Sequence, residues 1–136
     1  MGANIGVGRY GEDVAARYLE SHGMRIVERN WRCGQGEIDI VAIEGDIVAV
    51  VEVKTRRSQR CGSPFEAIDP RKAARLRRLA VQWLRSPSRE RAESVLGACS
   101  PAERRQPPVR HLRIDAVAVL LSRRGPAEVR HLRGVA

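Results

Sequence analysis

Lysine is almost missing from a strongly basic chain: of its 25 lysines and arginines, only Lys54 and Lys72 are lysines. In a protein that otherwise uses arginine, Lys54 stands where a compact, pKa-adjustable ammonium matters. Cysteine is scarce too. Cys33, Cys61 and Cys99 are odd in number and form no C-x-x-C pair, which argues against a zinc knuckle and a disulfide framework and fits a reducing cytosol. His22, His111 and His131 show no ligand spacing and read as incidental. The N-terminus, MGANIGVGRYGEDV, has no basic segment followed by an apolar core, and no apolar run nears the ~20 residues that span a bilayer. A soluble, unexported, cytoplasmic protein with no membrane partner is expected. No internal repeat is visible.

What is present begins with charge. The net charge is +9 and the isoelectric point about 10.9, a balance that favours nucleic acid or an anionic membrane surface as a partner. A hydrophobic content of 43% over 136 residues suffices for one domain with an ordinary core.

The most informative stretch runs from Gly36 to Arg56, GEIDIVAIEGDIVAVVEVKTR. Two arms rich in Ile and Val, Glu37–Ile43 and Ile47–Lys54, flank Glu44-Gly45-Asp46 and predict a β-hairpin. A two-residue loop at Gly45-Asp46 sets Glu44 opposite Ile47 and Asp39 opposite Glu52, with Cβ atoms about 5 Å apart. Glu52 and Lys54 then leave one face, joined by Glu37 opposite Lys54. Ile38, Ile40, Ala42, Ile47, Ala49, Val51 and Val53 fall on one apolar face and Val41, Ile43, Val48 and Val50 on the other, so helices should cover both. Adjacent carboxylates repel unless a cation or shared proton offsets the cost. A lysine nearby gives a structural ion-pair cluster; a divalent metal gives a reactive centre, since Mg²⁺ takes one or two carboxylates with water and phosphate.

Elsewhere, Val14, Ala15, Tyr18 and Leu19 form the stripe of a first helix over about Tyr10–Ser21, ended by Gly23. Glu12 falls in its first turn, where the helix dipole favours an acid. Met24–Trp31 reads as an edge strand, with Trp31 capping the core or stacking on a base. Arg56, Arg57 and Arg60 follow the hairpin in a polar loop able to hold phosphates. Asp69-Pro70 are N-cap and N1 of a second helix running to about Arg85. Its core stripe is Ala73, Leu76, Leu79, Ala80, Trp83 and Leu84, while Arg71, Arg75, Arg78 and Arg85 form a basic face, either solvated or phosphate-binding. Residues 86–108 read as a surface loop with a short helix near Glu90–Leu96. His111–Leu121 predicts another central strand, in which Arg113 and Asp115 share a face, and Glu128–Arg133 a final edge strand. Lys72 and Gln82 have no assigned role.

The hairpin resembles the PD-(D/E)xK nuclease signature, an Asp followed by Glu-x-Lys on the next strand. GEDVAARYLESHGMRIVERNWR, GEIDIVA, VVEVKTRRS, CGSPFEAIDPRKAARL and RIDAVAV together resemble the YraN family of predicted endonucleases, similar in core to archaeal Holliday-junction resolvases. The resemblance covers nearly the whole chain except residues 86–108. It implies a restriction-endonuclease-like α/β fold, a mixed sheet flanked by helices in the order α-β-β-β-α-β-β. It also implies a Mg²⁺- or Mn²⁺-dependent endonuclease that hydrolyses phosphodiester bonds in DNA, branched or structured DNA included. On that reading Asp39 and Glu52 bind metal with the Val53 carbonyl, Lys54 assists the attacking water, and Glu12 reaches the metal site from the first helix. Arg56, Arg57, Arg60, Arg71, Arg75 and Arg78 would contact the nucleic acid. The alternatives are a non-catalytic nucleic-acid-binding module and a homodimeric scaffold, since resolvase-like enzymes work as pairs.

Overall fold

Strands that are apolar on both faces need cover on both, and the structure supplies one helix to each. It is a computed structural model that describes residues 2–57, 68–90 and 111–135. Helix α1 (Gly2–Ser21) precedes a meander of three strands, β1 (Arg25–Cys33), β2 (Gly36–Glu44) and β3 (Ile47–Arg56); helix α2 (Pro70–Arg85), β4 (His111–Leu120) and β5 (Glu128–Leu132) follow. The strands form one mixed sheet in the order β1-β2-β3-β4-β5, antiparallel except for β3 beside β4. This is an α/β fold with the predicted element order. Among the described residues, no helix is long and apolar enough to cross a membrane.

α1 lays Ala15, Ala16 and Leu19 on Ile40, Ala42, Ala49, Val51, Val117 and Val119. On the opposite face, Leu76, Leu79, Ala80 and Trp83 of α2 pack on Ile38, Val41, Val48, Val50 and Ile114. Each fully buried Leu or Val stabilises the fold by about 1.5–3 kcal/mol, so the two layers hold the sheet between them. The hairpin has the expected two-residue loop: Glu44 pairs with Ile47, and Gly45 takes the left-handed φ of +62° that the turn demands. As expected, Asp69 caps α2 by accepting the Lys72 N–H at 2.8 Å, with Pro70 following it. Trp31 caps the core on the α2 side.

Two boundaries differ from expectation. α1 begins at Gly2 rather than near Tyr10; Gly2, Gly6, Gly8 and Gly11, which interrupt the apolar period and have low intrinsic helix propensity, mask its first turns in the sequence. Glu12 is therefore in mid-helix, not in the first turn. Residues 87–90 are helical where a loop was expected; Pro87 after Ser86 suits the first position of a new helical turn. Residues 91–110, which carry the rest of that loop and most of the expected short helix, lie outside the described residues, as do residues 58–67.

Toward the turn end of the sheet, Asp115 and Glu44 are closely paired. Buried Asp115 accepts bonds from Arg113 Nε at 2.7 Å, His131 Nε2 at 2.9 Å and the Gly134 N–H at 3.1 Å. Burial opposes its charge, but these donors outweigh it and hold the carboxyl below its usual value. Glu44 accepts from Arg113 at 2.9 Å and from Arg133 at 3.0 Å. The expected Arg113–Asp115 pair is present, and His131, which reads as incidental in the sequence, is instead part of this network.

α1 crosses β3 at Gly11, where an added Cβ would lie 1.8 Å from Thr55 Oγ1 and 2.8 Å from Thr55 Cβ. Gly11→Ala should therefore destabilise the protein by about 1–3 kcal/mol through overpacking. Thr55→Ala should restore only part of the loss, because the Cβ clash remains. Urea unfolding of the two single variants and the double variant measures this; full stability in Gly11→Ala would show that the helix does not need this close approach.

Candidate active site

The site is built where two paired strands part. β2 and β3 are paired from the turn up to Ile40 and Val51. Beyond that point β2 stays paired with β1 through Trp31–Ile38, Arg32–Glu37 and Cys33–Gly36, while β3 continues along β4 from Glu52–Ala116 to Arg56–Leu120. Asp39 and Glu52 are the first residues past the fork, as the hairpin register predicts.

The strand does not simply alternate here. Ile40 packs on the α1 side and Ile38 on the α2 side, although alternation predicts one face for both. The chain rolls over at Asp39. Beside it on β1, Asn30 adopts a left-handed φ of 52°, a conformation that Asn accepts more readily than most residues. The roll turns the Asp39 carboxylate across the fork, where Oδ2 accepts the Val53 N–H at 2.9 Å. The N–H and C=O of one strand residue leave by the same edge, so the Val53 carbonyl faces the fork too. The roll also changes the fate of Glu37, which was expected opposite Lys54. Its carboxylate meets Arg32 Nε at 3.0 Å instead.

Glu52 projects toward α2 and is largely buried. Its Oε1 lies 2.7 Å from Lys72 Nζ and 3.7 Å from Lys54 Nζ. Lys72, unassigned from the sequence, is thus brought into the site. The available signal was the scarcity of lysine: the chain's two lysines meet at one carboxylate. α2 is fixed for this contact by Gln82, which accepts from Cys33 Sγ at 3.0 Å and donates to Gln35 at 2.6 Å, tying the helix to the β1–β2 turn.

Glu12 approaches from α1, next to the Gly11 crossing. Burial raises its pKa, while a hydrogen bond with Asn30 and the charge of Arg29 oppose the rise. Asp13, one residue on, pairs with Arg29 at 2.7 Å. The pKa of Asp39 rises to about 7, first through burial and next through repulsion by Glu52, with Glu12 and Glu37 adding to it; the bond from Val53 opposes the rise. Lys54 is held below its usual value by Lys72 beside it and then by burial. For Lys72 burial pulls the pKa down, but the bonds with Glu52 and Lys54 and the Glu52 charge together outweigh it and shift the group up.

Glu12, Asp39, Glu52 and Lys54 therefore gather around the fork. Arg56 is half-buried at the end of β3 and Arg57 is exposed just beyond; Arg71, Arg75 and Arg78 are exposed along α2. Arg60 lies outside the described residues. Among the described residues, no three His, Cys, Asp or Glu side chains form a metal-binding group. The donor set nevertheless fits Mg²⁺ or Mn²⁺, because such hard cations take one or two carboxylates and a carbonyl, with water or phosphate filling the remaining positions. Asp39, Glu52 and the Val53 carbonyl are those groups.

A model of the family described as "Uncharacterised protein family UPF0102" matches residues 11–119. The chain is 50% identical over 129 residues to a UPF0102 protein of Arthrobacter sp. (strain FB24), covering 95% of this chain and 94% of the relative. Identity to a UPF0102 protein of Beutenbergia cavernae is 49% over 135 residues, covering 99% of each. A Streptomyces coelicolor UPF0102 protein is 48% identical over 137 residues, covering 100% of this chain and 92% of the relative.

The raised pKa of Asp39 fixes the sign of a pH effect. An acid whose folded pKa of about 7 exceeds its ordinary 3.8 binds its proton more tightly in the native state, so stability is highest below the lower value and falls until pH passes the upper one. The melting temperature should fall between about pH 4 and 7, and Asp39→Asn should flatten most of that fall, Glu12 leaving a remainder of the same sign. At pH 7.5, Mn²⁺ should raise the melting temperature of the wild type and not of Asp39→Asn. Identical pH and metal profiles for the two proteins would mean that Asp39 and Glu52 do not share a cation.

Proposed function

The chain belongs to the uncharacterised protein family UPF0102, and from the groups gathered at its fork we propose that it is a metal-dependent endonuclease acting on DNA. The observation that carries this is the meeting of Asp39 and Glu52 past the last β2–β3 pair, with the Asp39 pKa lifted to about 7 partly by Glu52. Such an excess of negative charge persists only where a cation or proton offsets it. The fold order and the Asp, then Glu-x-Lys arrangement further support a restriction-endonuclease-like core of the YraN kind.

In this reading Asp39, Glu52 and the Val53 carbonyl hold the metal. Bound there, a divalent cation supplies charge to polarise the phosphate and acidify water. Lys54, two residues from Glu52 on the same strand, orients the attacking water and stabilises charge developing on phosphate oxygen. Glu12 approaches the other side of the fork and orders water near Asp39. Arg56, Arg57 and Arg60, with Arg71, Arg75 and Arg78 of α2, neutralise DNA phosphates. The exposed arginines and the net charge of +9 support that assignment.

A second reading draws on the 2.7 Å contact of Lys72 with Glu52. An ammonium already matches one carboxylate, as in a nucleic-acid-binding protein that keeps the fold without turnover.

A panel of duplex, flap, four-way junction and RNA substrates separates the two. With Mg²⁺ or Mn²⁺, and not with EDTA, at least one DNA should be cut. Asp39→Asn and Lys54→Ala should each lower the rate by about 10²-fold or more, the scale of losing a positioned charge or proton-transfer group, while DNA binding persists. Cutting that survives in Asp39→Asn belongs to another site; binding without cutting of any substrate favours the second reading.

The arginines make a separate prediction. Replacing Arg71, Arg75 and Arg78 together by Ala should reduce the slope of log affinity against log salt by about 0.9 for each phosphate that the helix no longer neutralises. An unchanged slope would show that this helix face is only solvated.

A further inference from the structure

Lys72 is a charged group at the fork to which the nuclease reading gives no task. It lies in the first turn of α2, where its N–H is capped by Asp69, and its largely buried ammonium is 2.7 Å from Glu52 Oε1. Two features of that position call for an anion. The first turn of α2 contains no acid beyond the cap and instead carries Arg71 and Lys72, against the preference for negative charge at the positive end of a helix dipole. The second is charge balance. Asp39, Glu52 and Glu12 as carboxylates outnumber the ammonium groups of Lys54 and Lys72 by one, so a divalent cation turns the half-buried site from an excess of negative to an excess of positive charge. A phosphodiester is the anion that a basic, DNA-binding surface would bring to it.

We propose that Lys72 is a phosphate-binding residue of this site, held on Glu52 until a divalent cation takes that carboxylate and then turned to the phosphodiester. The inference rests on the metal-dependent nuclease reading and adds to it a substrate contact on α2. In the metal-free protein the ammonium shields Glu52 and competes with the cation. In the loaded protein it is released, close to the α2 arginines that already face the DNA, so metal binding and phosphate binding reinforce each other.

The test uses Lys72→Gln, which keeps a hydrogen-bond donor for Glu52 without the charge, and Lys72→Arg, which keeps the charge. Mn²⁺ affinity is measured by calorimetry without DNA. Affinity for a phosphorothioate duplex, which retains its backbone charge while resisting cleavage, is measured by anisotropy over a salt series with and without Mn²⁺. Lys72→Gln should bind Mn²⁺ several-fold more tightly than wild type, because the competing ammonium is gone. With Mn²⁺ it should bind the duplex about tenfold more weakly, the equivalent of ~1.4 kcal/mol, with a salt slope smaller by about 0.9. Without Mn²⁺ its duplex affinity should equal that of wild type, and Lys72→Arg should restore the Mn²⁺-dependent affinity. Unchanged duplex affinity in Mn²⁺, or an equal loss with and without Mn²⁺, overturns the proposal while leaving the metal site standing. A wild type that binds no Mn²⁺ overturns the metal site and this role together.

Discussion

Everything at the site follows from one hydrogen bond, the Val53 N–H donated to the Asp39 carboxylate. Where β2 and β3 separate, Val53 loses its backbone partner across the gap, and an orphaned donor in a half-buried sheet costs about 1–3 kcal/mol. A side-chain carboxylate supplies the missing acceptor. The strands can therefore part without leaving that donor unpaired, and the group that permits the parting is an acid held beside a second acid. The same carboxyl group thus closes the backbone at the fork and places an acid beside Glu52.

The sheet distributes its charges unevenly as a result. Toward the turn, two acids are each matched by several donors: Asp115 by Arg113, His131 and Gly134, and Glu44 by Arg113 and Arg133. Toward the fork, Asp39 has a backbone donor and three neighbouring acids that push its pKa upward. Both groups of charges lie on the same few strands, and what differs is the supply of guanidinium groups. No arginine reaches Asp39 or Glu52 with an ion pair among the described residues, despite a chain dominated by arginine. Five-donor guanidinium groups would neutralise the carboxylates permanently; ammonium groups on flexible stems can be displaced.

Much of this was legible in the sequence, because local rules decide it. The Gly45-Asp46 loop sets the register, and the register puts Asp39 and Glu52 together past Ile40 and Val51. Asp69-Pro70 and the stripe through Leu76, Leu79, Ala80 and Trp83 define α2. What could not be read depends on contacts between distant segments. The roll at Asp39 requires Asn30 on the neighbouring strand to take a left-handed backbone, and period-two alternation contains no signal for it. Lys72 reaches Glu52 only after α2 is docked, and His131 reaches Asp115 only after β5 has paired with β4. The start of α1 was hidden by glycines that weaken the helical signal without preventing the helix.

The single parallel pairing in the sheet, β3 beside β4, also sets an order of assembly. β1, β2 and β3 are joined by tight turns, so their ladders close short loops and form cheaply in chain entropy, whereas the β3–β4 pairing must close the whole crossover that contains α2. Asp39 and Glu52 therefore meet on the early-forming meander, and Lys72 arrives with the late crossover. The ammonium that shields Glu52 is thus delivered by the longer chain closure, while Asp39 keeps its raised pKa even with α2 docked.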